Sequence, residues 1–552
     1  MTSLFDPERL EELGPHEFRR AVQRLMLHCG YEAFSIDSPG DGGGDLYCEG
    51  PEYTCVIQCK WKKRGAIGRT AFAEAREALY SGLYPAHRAF VATNRHFSPD
   101  AKKYWKQLEN NRISVQGWDL RHLKNWEERY AREWLARKTL RPYQNEAIEA
   151  VEGDLRNTNK ALLFLATGLG KTVVAGEIIR NILEKKPDAK ILVLAHLKEL
   201  VEQLQRALWT NIPINVPSQI VGSGSTPDDL PGLTVGTQLS IQKYMAAGYA
   251  PDLLVVDECH HVGEDNTYAK ILSELGDTKI LGVTATPWRG DGFDIEQNFG
   301  RVSYSCGIEE GMKKKYLSAI DYKLYSDNID WDAVSDLSRH DYTLKDLNRR
   351  LFIAHRDEKI LEALFEVWRE TVAPKAIIFC QSIPHVKNMH RAVLRYEKWR
   401  KAEVIHSNMS PSERRSALTR FRQQDCPMLL AVDILNEGVD VPDVNIICFA
   451  RVTHSRKIFV QQLGRGLRTS PGTYKEKVVV IDFAADIRRL AAIHNLKKSV
   501  TGEEKEEVDY HNRIDMIFED TQAESLIEEW IQDAADLETA HDEYRLNYPS
   551  VP

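Results

Sequence analysis

Three groups of side chains in this chain of 552 residues have the types and spacing that chemistry requires. The run Ala166-Thr167-Gly168-Leu169-Gly170-Lys171-Thr172 closes an apolar segment and opens a helical pattern. In such a turn, glycines let backbone amides approach phosphates, Lys171 adds positive charge, and the Thr172 hydroxyl is placed for a magnesium ion. The second group follows the apolar stretch Leu253–Val256, which delivers Asp257 and Glu258 where an open parallel sheet binds its ligand. Asp257 suits the shell of Mg²⁺, and Glu258 suits orienting and deprotonating an attacking water. Arg465 and Arg468 belong with this second group: they lie three apart, so one helical face can offer both guanidinia to a γ-phosphate. Such a contribution is worth roughly 10³–10⁵ in rate. The cofactors expected from these residues are ATP and Mg²⁺.

The third group is Asp45, which ends the run GDGGGD, with Gln58 and Lys60 on the segment Tyr53–Trp61. If that segment is a strand, Gln58 and Lys60 share a face, and a turn at Gly50-Pro51-Glu52 folds Asp45 opposite them. Asp45 would hold Mg²⁺, Gln58 would complete or orient its shell, and Lys60 would steady a pentavalent phosphate or activate the water. These three residues alone also fit a solvated hairpin. Lys62, Lys63 and Arg64 fit phosphate contacts and a solvated strand end equally well. Cys48, Cys55 and Cys59 lack the paired spacing of a zinc site and read as small buried hydrophobes.

The elements that must position these groups form an α/β chain. Residues 1–128 read as one α/β unit, with a helix near 15–29, strands at 45–49 and 53–61, a helix near 70–80, a strand at 89–93 and a helix after Ser98-Pro99-Asp100. Residues 129–139 read as a charged, helical connector. From residue 140, apolar strands alternate with helices, which implies parallel sheets covered on both faces. Residues 140–300 form the first such domain, 301–350 a polar interdomain segment, 351–490 the second domain, and 491–552 an acidic helical region.

The net charge of −8 is unevenly spread. Residues 501–552 hold sixteen acidic against three basic residues, so the remainder is positive by five. An acidic total therefore does not exclude nucleic acid, whose binding depends on local patches. No apolar run nears the ~18 residues of a membrane span, and the acidic amino terminus lacks a signal pattern. A cytoplasmic protein without a membrane role is expected.

Taken together, the segments 140–485 resemble a superfamily 2 helicase or translocase. The matching runs are RPYQ at 141–144, LATGLGKT, LAHLKELVEQ, VGTQ, DECHH, TATPWRGDG and Asp433–Pro442. The resemblance implies two RecA-like domains, adenine recognition by Gln144, nucleotide contacts from Gly438 and Asp440, and nucleic-acid contacts from Thr237 and Thr286. LATGLGKT and TATPWRGDG lie nearest the type I and type III restriction motors, and the DECH box disfavours RNA. Residues 1–128 resemble the Mrr-type restriction endonuclease domain of the PD-(D/E)xK superfamily, through 16–33, 41–45, 58–60, 88–101 and 113–123. Gln58 stands where the wider superfamily has Glu, while Glu17 matches a helix acid that joins the site and Asp41 serves the turn. The implied protein is an ATP-dependent DNA translocase coupled to a Mg²⁺-dependent endonuclease of double- or single-stranded DNA, in restriction or anti-phage defence. Since no recognition domain is evident, either a protein partner supplies target discrimination or the enzyme senses modified, branched or terminal DNA. The alternatives are a DNA repair helicase whose amino-terminal domain mainly binds DNA, and an RNA remodelling ATPase.

Overall fold

The computed structural model describes residues 3–36, 44–166, 168–196, 198–222, 227, 229–263, 267–285, 294–307, 310–311, 314, 316–325, 357–380, 382–422, 426–432, 444–450, 477–483 and 514–518. The chain divides into two compact units. The first takes Met1–Leu165, Gly170–Ser305 and Met409–Thr419; the second takes the rest.

The first unit contains two sheets. One is built in sequence order from β1 (Glu32–Ser35), β2 (Leu46–Glu49), β3 (Thr54–Lys60), β4 (Arg88–Thr93) and β5 (Val115–Trp118). β1–β2 and β2–β3 pair antiparallel, whereas β3–β4 and β4–β5 pair parallel. The helices are α1 (Pro7–His28), α2 (Thr70–Tyr80), α3 (Pro99–Asn110) and α4 (Leu120–Tyr130). Alternation along β3 sends Cys55 and Ile57 to one side, where Phe18, Val22 and Leu25 of α1 pack, while Val56 meets Phe72 and Ala75 of α2 on the other. Ser98 starts α3 by accepting a hydrogen bond from the Ala101 amide, with Pro99 in the first turn.

The other sheet comprises β6 (Lys160–Leu165), β7 (Ile191–Ala195), β8 (Ser218–Val221), β9 (Leu233–Thr237), β10 (Leu253–Asp257), β11 (Lys279–Thr284) and β12 (Val302–Cys306), in the order β12-β6-β11-β10-β7-β9-β8. Its strands from β6 to β8 are parallel neighbours. The helices used below are α5 (Pro142–Asn157), α6 (Lys171–Lys185), α7 (Lys198–Trp209) and α8 (Gln238–Ala246). Strands β7 and β9 are buried along their whole length, as a sheet covered on both faces requires.

In the second unit, β13 (Ala319–Tyr325), β14 (Ala376–Cys380), β15 (Glu403–Ile405), β16 (Met428–Ala431), β17 (Ile446–Ala450), β18 (Lys477–Phe483) and β19 (Ile514–Phe518) form a sheet in the order β15-β16-β14-β17-β18-β13-β19. All neighbours are parallel except β19 on β13.

The structure departs from the sequence reading at three places. Residues 131–141 contain no helix. Their backbone is serviced by neighbours instead: the Leu135 carbonyl accepts from Arg180, the Arg132 carbonyl from His28, and the Glu133 carbonyl from the Ile214 amide. The segment read as interdomain contributes β12 to one sheet and β13 to another. Within the region read as helical, Ile514–Phe518 is a strand, because Leu324 to Ile320 of β13 offers it an open edge. The rest of the region read as acidic and helical, 491–513 and 519–552, lies outside the described residues.

Candidate nucleotide and nuclease sites

At the carboxyl ends of β6 and β10, Gly170 starts α6 with a left-handed backbone (φ 89°), which a side chain disfavours. It also lies under Gln144, whose Nε2 would stand 2.7 Å from a Cβ at that position. The Gln144 Oε1 accepts from the Arg141 amide at 2.9 Å, so the helix start of α5 holds this side chain against the phosphate turn. Gly168 also has positive φ. Lys171 Nζ is 3.0 Å from Glu258 Oε1, and both side chains are largely buried. Thr172, Lys171 and Asp257 line one narrow cavity with Val193 and Val255.

The two acidic residues are driven apart electrostatically. Burial, reinforced by the Glu258 charge, raises the Asp257 carboxyl above its ordinary range. For Glu258, burial acts upward too, but Lys171 and His260 outweigh it and hold the carboxyl below the usual range. Glu258 also has a left-handed backbone (φ 49°, ψ 50°), a conformation costing about 1–3 kcal/mol for such a residue. Its Oε2 lies 3.3 Å from His260 Nδ1, which is 2.9 Å from the Thr284 hydroxyl. His261 stacks between His260 and His196, with ring centroids 4.3 and 4.7 Å away. Sequence assigns Thr284 no role beyond its place in Thr284-Ala285-Thr286-Pro287. The contact with His260 ties the end of β11 to the acidic pair.

In the smaller sheet, Asp45 sits just before β2, and the register Leu46 opposite Ile57 brings it to the end of β3. Its Oδ2 accepts from the Cys59 amide at 2.6 Å, between Gln58 and Lys60. Gln58 is 7% exposed, and its Oε1 has no hydrogen-bond partner among the described residues. Lys60 Nζ meets Glu74 Oε2 of α2 at 2.5 Å. Sequence does not single out Glu74, because a lone acid within a helix has no motif to mark it. The structure thus brings Asp45, Gln58 and Lys60 to one strand end and adds Glu74. Glu17 instead pairs with Arg20 at 2.6 Å, both buried. Cys48 and Cys55 face each other across β2 and β3 as buried free thiols. Among the described residues, no three His, Cys, Asp or Glu side chains converge as a metal cluster. An ion at this strand end would have to use the buried Gln58 oxygen together with Asp45, an oxygen set that suits a hard divalent cation. In the other sheet, a buried carboxylate beside the Thr172 hydroxyl suits the same kind of ion.

The two sheets of this unit are joined by side chains as well as by the connector. Arg24 of α1, 2% exposed, donates to the carbonyls of Val216 (2.7 Å) and Pro213 (2.5 Å). Arg206 of α7 donates to the Ala33 carbonyl and lies over the Phe34 ring. Arg20 reaches Glu202 of α7 at 3.6 Å while paired with Glu17. Ile214 is buried within the α1 core.

Thr237 starts α8, its hydroxyl engaged with the Ser240 amide and hydroxyl. Thr167, Thr286, Gly438, Asp440, Arg465 and Arg468 lie outside the described residues, as does Asp41. No helix among the described residues is long and apolar enough to cross a membrane.

Residues 137–289 match the family described as type III restriction enzyme, res subunit; 357–470 match the helicase conserved C-terminal domain; and 10–126 match the Mrr-type restriction endonuclease family. The ATP-dependent helicase IRC3 of Saccharomyces cerevisiae is 27% identical over 361 residues, covering 62% of this chain and 51% of that protein. The type I restriction enzyme EcoAI endonuclease subunit of Escherichia coli is 27% identical over 379 residues, covering 63% and 46%. The chain thus spans about half the length of these relatives. In fold, it resembles the DNA-bound type ISP restriction-modification enzyme LlaBIII, with TM-score 0.50 and 16% identity over 97% of this chain and 39% of that one.

Proposed function

Because the chain belongs to the superfamily 2 helicases and carries an Mrr-type restriction endonuclease domain ahead of its motor, we propose that it is an ATP-driven DNA translocase that also cuts DNA. The observation that carries this reading is the pairing of two prepared sites in one unit: Lys171 against Glu258, and Asp45 with Lys60 at the end of β3. In the motor, Lys171 would move from Glu258 to the nucleotide phosphates; losing that cation lets the Glu258 carboxyl rise from its lowered range, which suits it to accept a proton from water. Asp257 and Thr172 hold Mg²⁺, and Gln144 reads the base. By the resemblance, Arg465 and Arg468 would contact phosphate, Gly438 and Asp440 would contact nucleotide, and Thr237 and Thr286 would contact nucleic acid. In the nuclease, Asp45 and Gln58 hold Mg²⁺, which supplies Lewis-acid activation of water when bound. Lys60 steadies the charge that develops on phosphate. The setting is cytoplasmic restriction or anti-phage defence, with a protein partner discriminating targets.

The test compares linear, circular, single-stranded and modified DNA, with and without ATP and Mg²⁺. Lys60→Ala should abolish cleavage and keep DNA-stimulated ATP hydrolysis, while Lys171→Ala should stop ATP turnover. Absence of any nicking by the wild type would sink the nuclease assignment. A second reading, a DNA repair motor whose amino-terminal domain mainly binds DNA, draws support from Lys60 being engaged by Glu74. Wild-type DNA binding without cleavage would favour it.

A further inference from the structure

Beyond Lys60 the chain enters an exposed basic loop, Lys62-Lys63-Arg64, for which sequence leaves phosphate contact and a solvated strand end equally open. An exposed loop normally leaves its backbone polar groups to water. Here protein side chains take them. The buried Asn94 accepts from the Lys62 amide and donates to the Lys62 carbonyl, both at 2.9 Å. Arg95 Nε donates to the same carbonyl at 3.0 Å, and its guanidinium also donates to the Lys63 carbonyl. Lys62 Nζ closes the loop onto the Ala66 carbonyl, and Ile67 is zipped to the β4 side through His96 and Ser98. Two long side chains remain facing solvent, Lys63 and Arg64, and neither has a carboxylate partner among the described residues.

The loop's position adds the second argument. β3 and β4 are parallel, with Lys60 opposite Thr93, so the loops after both strands emerge at one edge. Asp45 reaches that edge from β2. Two exposed cations on a loop of fixed shape therefore flank the three residues assigned to phosphodiester chemistry. The cost of ordering the loop has been met during folding, which favours capture of an extended, regularly spaced polyanion.

We propose that Lys63 and Arg64 bind the sugar-phosphate backbone of a DNA strand beside the cleavage position, on a loop shaped by Asn94 and Arg95. The inference rests on the DNA-processing reading but does not require that Lys60 catalyse cleavage. Interactions of this kind fix position and carry no base preference.

The experiment measures binding of a labelled duplex to the full chain at a series of salt concentrations, without ATP, in a Lys60→Ala background. Removing one cation that neutralises a phosphate lowers the slope of log affinity against log salt by about 0.9, so Lys63→Ala with Arg64→Ala should lower it by about 2. Between 50 and 200 mM salt, the fall in affinity of that variant should be about tenfold smaller than that of its parent. The change should be the same for duplexes of unrelated sequence. Asn94→Ala, which keeps both charges, should weaken binding while leaving the slope in place. Matched melting temperatures of the Lys63/Arg64 variant and its parent confirm that folding is intact. An unchanged slope and affinity in that variant overturns the proposal. Cleavage that survives Lys60→Ala removes the role given to Lys60 alone, and the salt series still decides the loop.

Discussion

Arg24 offers a direct measure of how firmly the nuclease sheet is fixed to the motor sheet. Its guanidinium is buried and donates to two carbonyls of the 213–216 segment, at 2.7 and 2.5 Å. Hydrogen bonds from a charged donor contribute about 1.5–3 kcal/mol each, and removing the donor strands both acceptors. Arg24→Met keeps much of the apolar stem and deletes both bonds, so a destabilisation of about 3–6 kcal/mol follows for this unit. The assay is urea unfolding followed by tryptophan fluorescence, since Trp118 and Trp126 lie in the affected core. At a slope of about 2 kcal/mol per molar, the midpoint should fall by roughly 1.5–3 M. The connector at 131–141 should become protease-sensitive at lower urea than in the wild type. A midpoint shift under 0.5 M, which at that slope is about 1 kcal/mol, would refute the claim that α1 is built into the motor.

Other consequences are equally accessible. Burial first, then the Arg24 charge, lowers His28 to about 4, against the opposing Arg132 carbonyl. An unfolded histidine titrates near 6.5, so the unfolded state binds the extra proton first and stability declines as pH falls from about 6.5 to about 4, by roughly 3 kcal/mol. His28→Gln should flatten that part of the pH profile measured by urea unfolding; an unaltered profile would exclude His28 as its source. Glu258→Gln should leave ATP binding in place and lower hydrolysis by roughly 10²–10⁴, and a drop in nucleotide affinity equal to the drop in rate would contradict the role given to it. Glu74→Gln should cut the rate constant for cleavage by about two- to fivefold, the range for losing a partly exposed ion pair, with KM nearly constant; a change in KM alone would make Glu74 a binding residue.

Local pattern makes the central geometry legible in advance. The strands expected at 45–49, 53–61 and 89–93 form at 46–49, 54–60 and 88–93, because short apolar runs flanked by turn residues admit few other placements. The convergence of Asp45 on β3 is readable from the turn at 50–52 and the two-residue period of a strand. Glu74 is not, since its meeting with Lys60 depends on how α2 lies over β3. The connector escapes for a related reason. Its charged residues look helical in isolation, yet Arg137 pairs with Glu184 and Glu177 of α6 and the backbone is held extended by partners distant in sequence. The strand at 514–518 depends on an open edge supplied by β13, which no window of local sequence contains.

The side-chain joint between α1 and α7 also bears on how such a chain can be rearranged. A cutting module on a slack leash is portable: its first 128 residues could be moved to another motor and keep their meaning. Here they cannot travel alone. Arg24 requires the carbonyls of Pro213 and Val216, and Ala33 and Phe34 require Arg206. A graft that leaves residues 198–216 behind would uncover Arg24 and take away the two carbonyls that receive it. The joint also acts as a ruler, because the span from the Lys60 edge to the Lys171 turn is set by packing rather than by a leash.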